Sequence, residues 1–300
     1  MPRTEIRYRR CRKKDLLPAT RLALSAMNDV RRRTGKEIFL RRVNEPSPLI
    51  RHIHETDPEL LAAAWAGERM VGFGGALVRG RQWYLAWLFV HPRYQDRGVG
   101  GRLLRKLWRD GPGMVHSLAT MTYNMQAVGL YSSFGMVPEE MIPVMKARPE
   151  DVRLPAAPGW KRDLEPTEGD FAWIQRLEKR IRGFAHPEEW DFWRREKGCR
   201  IALFRDGRRR VGYGMLDGRD FLAPAGAADP AELTGVVAEM IRLAREEKRK
   251  EVLLFCPTRS RDLYRFLIGA GFRNLEMLLF QSDTPYGDFS RYVPATLAFF

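Results

Sequence analysis

Three glycines fall within four residues at Gly98, Gly100 and Gly101, flanked by Arg97 and Arg102, in the stretch "QDRGVGGR". Ahead of them runs "WYLAWLFV", Trp83 to Val90, apolar enough for a buried strand. Behind them Val99, Leu103, Leu104, Leu107 and Trp108 recur at helical spacing. A strand thus enters a glycine turn that opens a helix. The first amides of a helix lack intrahelical partners, and the helix dipole favours negative charge there. Glycines let a ligand approach the backbone, and two arginines add positive charge. Such a turn suits phosphate. It is not a Walker loop, which needs Gly-Lys-Ser/Thr, nor a dinucleotide fingerprint, because Leu103 stands where the third glycine belongs.

The pattern present is Q-x-x-G-x-G, following a strand that closes on Val90-His91-Pro92. A second motif comes about thirty residues later, "NMQAVGLYSSFGM", Asn124 to Met136. It fits N-x-x-A-x-x-L-Y-x-x-x-G-F, with Met136 in place of the last Phe. Both motifs, in this order, resemble the GNAT acyltransferase superfamily. The match covers the first half of the chain by motif and the second half by plan only. The resemblance implies acetyl-CoA as cosubstrate and a primary amine as acceptor. It implies that backbone groups of Leu88, Phe89 and Val90 bond the pantetheine arm. The turn Gln95, Asp96, Arg97, Gly98, Val99, Gly100, Gly101 and Arg102 would cradle the pyrophosphate. Asn124 would sit near the thioester end, and Tyr131 would protonate the leaving thiolate. A phenol of ordinary pKa near 10 is a fair donor to a thiolate. The competing reading of Tyr131 is a core aromatic on a helix face.

The strand "WYLAWLFV" holds no acid to serve as base. Glu55 and Asp57 are candidates, although Asp57-Pro58 also reads as an ordinary cap. His91 closes the strand and reads as structural. His52 and His54 are spaced to share a strand face, but without a third ligand no metal is expected. The segment "PATLAFF" reads as an apolar strand, from which the Phe300 carboxylate could reach a pocket.

These residues need elements to position them, and the chain describes such elements twice. "YRRCRKKDLLPATRLALSA" and "WKRDLEPTEGDFAWIQRLEKR" each give a short strand, a polar turn with an acid (Asp15, Asp170) and an amphipathic helix. "AAAWAGERMVGFGGALV" and "IALFRDGRRRVGYGMLD" each give a hairpin, with Val71-Gly72 matching Val211-Gly212. The Pro-rich stretch "KARPEDVRLPAAPGW" reads as a linker. The expected architecture is mixed α/β: two tandem domains, 1–148 and 158–300, each a mostly antiparallel sheet flanked by helices. The second copy lacks the glycine turn. "DFLAPAG" runs into Asp229-Pro230, acids would meet any phosphate there, and Leu267 takes the place of Tyr131. It reads as a degenerate domain without coenzyme, whose aromatic cluster Phe184, Trp190, Phe192 and Trp193 would either wall an acceptor pocket or fill a core.

Composition bounds the partners. The 300 residues carry a net charge of +15 and 44% hydrophobic residues. Residues 1–145 hold 24 Lys and Arg against 13 Asp and Glu, so the excess lies with the glycine turn. Anionic partners are favoured, whether nucleic acid, phosphorylated metabolites or acidic surfaces, with an arginine-rich solvated surface as the plainer reading. No basic stripe is interleaved with aromatics as single-strand binders require, which makes nucleic acid an unfavoured partner. Three separated cysteines make neither a disulfide framework nor a zinc pattern. With no apolar signal core and no long apolar run, a cytoplasmic, membrane-free protein is expected. The alternative to an enzyme is an acyl-CoA-binding or nucleic-acid-binding module, which would have no use for Tyr131.

Overall fold

The computed structural model describes residues 5–299. Backbone contacts divide the chain into two units, Met1–Val137 and Pro138–Phe300. The first contains β1 (Ile6–Arg10), α1 (Leu16–Arg33), α2 (Pro48–Thr56), β2 (Leu61–Ala66), β3 (Arg69–Arg79), β4 (Gln82–Val90), α3 (Val99–Leu107), β5 (Val115–Met121) and α4 (Met125–Ser132). Strands β1 to β4 pair antiparallel in chain order, and β5 joins β4 in parallel after the α3 crossover. Two glycines of β3 set how closely α3 lies on the sheet. A Cβ on Gly72 would stand 2.9 Å from the side chains of Leu103 and Val99, and one on Gly74 2.6 Å from Leu107. Small residues there let the α3 leucines fill the core with Trp83, Leu85 and Tyr131.

Strand β4 carries a bulge. Gly75 opposes Trp87 and Ala76 opposes Leu85, which leaves Ala86 as the extra residue. An extra residue inverts the alternation of a strand. Ahead of it, the Arg81 carbonyl accepts from the Val115 amide of the β5 side at 2.8 Å, so odd-numbered peptide groups look towards β5. Beyond it, the His91 amide donates to the Val71 carbonyl at 2.9 Å, so odd-numbered groups look towards β3. Registered pairing with β5 stops at Leu85 and Leu118. From Ala86 to Val90 the strand continues half-buried, with the peptide groups of Leu88 and Val90 directed away from β3.

The second unit contains β6 (Val137–Ala147, all but its first residue), β7 (Lys161–Asp163), α5 (Glu168–Arg182), α6 (Pro187–Arg195), β8 (Arg200–Asp206), β9 (Arg209–Leu216), β10 (Leu222–Ala227), α7 (Leu233–Glu246), β11 (Val252–Phe255), α8 (Arg261–Ala270), β12 (Arg273–Ser282) and β13 (Tyr292–Val293). Strand β6 lies between β12 and β11, and a separate sheet runs in the order β13-β10-β9-β8-β7. Strand β6 precedes the Pro-rich stretch at which the sequence boundary was drawn, yet its contacts place it in the second unit.

The order β1-α1-α2-β2-β3-β4-α3-β5-α4-β6 repeats as β7-α5-α6-β8-β9-β10-α7-β11-α8-β12. Equivalent hydrogen bonds follow it. The Met136 amide donates to the Tyr131 carbonyl at 3.3 Å, and the Phe272 amide to Leu267 at 2.9 Å. The two turn acids also correspond. Asp15 accepts from the Arg9 guanidinium at 2.6 Å and the Arg12 amide at 2.7 Å. Asp170 accepts from Thr167, from Arg205 at 2.6 Å and from Arg210 at 2.8 Å.

Two sequence expectations are corrected. His52 and His54 lie on α2, where residues two apart do not share a face; His52 is buried and His54 half-buried. The segment "PATLAFF" is not a strand: β13 ends at Val293, Pro294 offers no amide, and the Thr296 hydroxyl caps the amides of Ala298 and Phe299 in a turn. The Phe300 carboxylate lies outside the described residues.

Burial alone would raise the Asp170 pKa, but the hydrogen bonds from Arg210, Thr167 and Arg205 outweigh it and hold the carboxyl well below the usual carboxylate range. A depressed folded pKa contributes stability above the unfolded value of about 3.9 and loses it as pH falls towards the folded value. Asp170→Asn is therefore expected to be destabilised by a constant amount between pH 6 and 8. The gap to wild type should narrow below about pH 4, as read by urea unfolding across pH.

Candidate active site

The site is built where β4 outruns its partner. The side chains of Leu88 and Val90 pack on the α3 core, so their peptide groups lie along the strand edge left open beyond Leu85. Alternation directs the amide and carbonyl of Phe89 towards β3, opposite Phe73. Leu88 and Val90 can therefore receive an added extended chain, and Phe89 cannot. The Val90 carbonyl already accepts from Gln95 Nε2 at 3.2 Å, while Gln95 Oε1 accepts from Arg33 at 3.2 Å. Gln95 thus braces the turn between β4 and α1.

After a short 3-10 turn, Pro92–Tyr94, the chain enters the glycine turn. Asp96 and Gly98 both take positive φ, 58° and 72°. Gly98 is the cap of α3 and, having no side chain, caps none of the amides of that first turn. Among them Val99 is anchored in the core, while Gly100 and Gly101 face the side chain of Leu130 on α4. A Cβ on Gly100 would come within 3.3 Å of Leu130. These glycines thus both bare the backbone and let α4 approach. Arg97 and Arg102 are exposed at the turn, with Arg97 over the Tyr94 ring at 5.3 Å. Asp96 is the one acid there, and Gln126 of α4 donates to it at 2.5 Å. The two sequence motifs therefore meet in space.

Asn124 caps α4 through its carbonyl, which accepts from Ala127 at 3.0 Å and Val128 at 3.1 Å. Tyr131 lies about two turns on, 6% exposed among the α3 leucines. Burial pushes its phenol above the ordinary value.

The base candidates are placed elsewhere. Asp57 is buried and tied to Arg79 at 2.9 Å and to the Val78 amide at 3.1 Å. Glu55 is exposed on α2. The His91 ring contacts Arg69 at 2.7 Å and the Arg93 amide at 3.2 Å, and burial with those two arginines lowers its pKa. Among the described residues, no group of three or more His, Cys, Asp and Glu is placed to hold a metal. No helix described is long and apolar enough to cross a membrane.

At the equivalent turn of the second unit, Asp229 accepts from the Ala231 amide at 2.9 Å and Glu232 pairs with Arg209 at 2.6 Å. Of the two carboxylates, Asp229 thus takes an amide at the start of this helix. Leu267 is fully buried. Phe184, Trp190 and Trp193 are buried too, Trp190 donating to Glu178 at 3.0 Å and Phe192 packing on Phe299.

Residues 25–136, within the first unit, match the family model for "Acetyltransferase (GNAT) family". The crystal structure of a candidate acetyltransferase from Pyrococcus horikoshii is similar over nearly the whole chain, with 16% identity, a TM-score of 0.76, and coverage of 98% of this chain and 96% of that one. A GCN5-related N-acetyltransferase from Sphaerobacter thermophilus gives 18% identity and a TM-score of 0.65, over 95% and 98% of the two chains. One from Anabaena variabilis gives 12% and 0.59, over 93% and 72%. At these identities the likeness is one of fold, and it extends through both units. No curated protein sequence matches the chain.

The glycine turn yields a separable expectation. Gly98→Ala adds a Cβ into open space at φ 72°, so its cost is backbone strain of about 1–2 kcal/mol. Gly100→Val instead presses on Leu130 and displaces α4. Thermal unfolding should show both losses, and only the second should be relieved by Leu130→Ala.

Proposed function

We propose that the first unit is an N-acetyltransferase, moving acetyl from acetyl-CoA to a primary amine by direct attack, and that the second unit binds no coenzyme. The observation that carries this reading is the open edge of β4 beyond the Ala86 bulge, leading straight to the uncapped amides of α3. An extended pantetheine arm would add to that edge at Leu88 and Val90, as a strand adds to a sheet. Its pyrophosphate would meet the amides of Gly98 to Gly101 with Arg97 and Arg102 nearby. Asn124 would lie by the thioester end. The absence of a coenzyme from the second unit is supported by Asp229, which takes the Ala231 amide at the equivalent helix start, and by the second acid Glu232 beside it. The GNAT family match and the acetyltransferase relatives of the same fold support the reading.

In the transfer, the amine nitrogen attacks the thioester carbonyl carbon and the C–S bond breaks. The departing sulfur takes a proton from the Tyr131 phenol, which recovers one from solvent. A phenol raised by burial stays protonated throughout the neutral range and acts as a donor. The reading assigns no side-chain base; Glu55 and Asp57 are not used, and the amine loses its proton to water.

Tyr131→Phe keeps the ring and removes the donor. Turnover with an accepted amine should fall by about 10²- to 10⁴-fold, with the KM for acetyl-CoA unchanged. Near-wild-type turnover would return Tyr131 to the core. Calorimetry on wild type should show one coenzyme per chain, where two equal sites would contradict the reading of the second unit.

A further inference from the structure

Each unit carries an aspartate just ahead of an equivalent helix: Asp96 between β4 and α3, and Asp229 between β10 and α7. An aspartate in a turn readily closes on the amide two residues on. Four described aspartates of this chain do so. Asp163 accepts from Glu165 at 3.1 Å, Asp217 from Arg219 at 2.7 Å, Asp229 from Ala231 at 2.9 Å and Asp288 from Ser290 at 3.2 Å. For Asp96 the corresponding amide is that of Gly98, the cap of α3. Asp96 accepts instead from Gln126 Nε2, in the first turn of α4, at 2.5 Å.

The packing of the two helices explains why Gln126 arrives there. Gly100 and Gly101 have no side chain, and a Cβ on either would stand 3.3 Å or 3.7 Å from Leu130. Gln126 is four residues ahead of Leu130 on α4, so both lie on the face that meets the turn. The partner so supplied is neutral. Arg97 and Arg102 make no ion pair among the described residues, and Arg97 lies over the Tyr94 ring. Had either arginine held Asp96, its charge would be spent on the protein's own carboxylate. With Gln126 in that place, both guanidiniums and the first amides of α3 stay available.

We infer that Gln126 is a positioning residue for the coenzyme: by holding the Asp96 carboxylate, it keeps that acid off the Gly98 amide and leaves the start of α3 to the pyrophosphate. This rests on the acetyltransferase reading above. Released, Asp96 would close on Gly98 as Asp229 closes on Ala231. An incoming phosphate would then meet an occupied amide and a negative charge where the helix dipole favours its own.

Gln126 is exposed, and leucine forms helix as well as glutamine does, so Gln126→Leu removes the donor and keeps α4. Calorimetry with coenzyme A should show the Kd rise by about fivefold, the worth of one helix cap. With an accepted amine, the KM for acetyl-CoA should rise alike, with kcat at saturation unchanged. S-acetylpantetheine carries no phosphate, and its KM should not respond. Asp96 stands at φ 58°, which glycine adopts freely. Asp96→Gly should therefore bind coenzyme A at least as tightly as wild type, and adding Gln126→Leu to it should cost nothing further. An unchanged Kd in Gln126→Leu alone would overturn the inference. So would an equal rise for S-acetylpantetheine, or an equal loss in the Asp96→Gly background, since either would make Gln126 a prop of α4 or a direct ligand. Wild-type protein that binds no coenzyme A would instead remove the acetyltransferase reading.

Discussion

Everything proposed for this chain depends on one extra residue in a strand. Ala86 breaks the register between β3 and β4 and reverses which peptide groups look outward. Without it, β4 would present the wrong residues to the gap beyond Leu85. With it, Leu88 and Val90 keep their side chains in the α3 core while their peptide groups lie on the edge away from β3, beyond the last registered pair with β5. The bulge also turns Trp87 and Phe89 to the opposite face. A single insertion thus sets both the strand edge proposed for the coenzyme and the face that carries Trp87 and Phe89.

The rest of the first unit holds that edge in place. Gly72 and Gly74 draw α3 onto the sheet, so its uncapped amides arrive just past the end of β4. Gly100 and Gly101 admit Leu130, which brings α4 against the same turn. Gln95 and Gln126 then tie the turn to β4, α1 and α4. The second unit repeats the plan and the close packing: a Cβ on Gly212 would stand 2.6 Å from Val236, and one on Gly214 2.5 Å from Met240. What it does not repeat is the bare helix start, since Asp229 spends its carboxylate on the Ala231 amide. The second unit has the packing glycines without the glycine turn.

Much of this was legible in the residues. The turn at Gly98 and the "NMQAVGLYSSFGM" segment announced themselves by spacing, and the structure brings them into contact through Asp96 and Gln126. The duplicated order of elements could be read because strand and helix periodicities differ. The bulge could not be read: "WYLAWLFV" is apolar on both faces, so its alternation leaves no trace in composition. For that reason the sequence named Phe89 with its neighbours as a backbone ligand. The His52–His54 spacing misled because two residues apart is a strand signal only if the segment is a strand. The order of residues 34–47 was invisible because it comes from bonds to side chains on α1, which leave no periodicity in the segment itself.

The most direct test of the account is residue-resolved amide exchange by NMR, with and without coenzyme A. The account predicts that Leu88, Val90 and the amides of Gly98 to Gly101 slow on binding, while Phe89, already directed at β3, does not change. Unchanged exchange at Leu88 and Val90, or new protection in β10 instead, would contradict it.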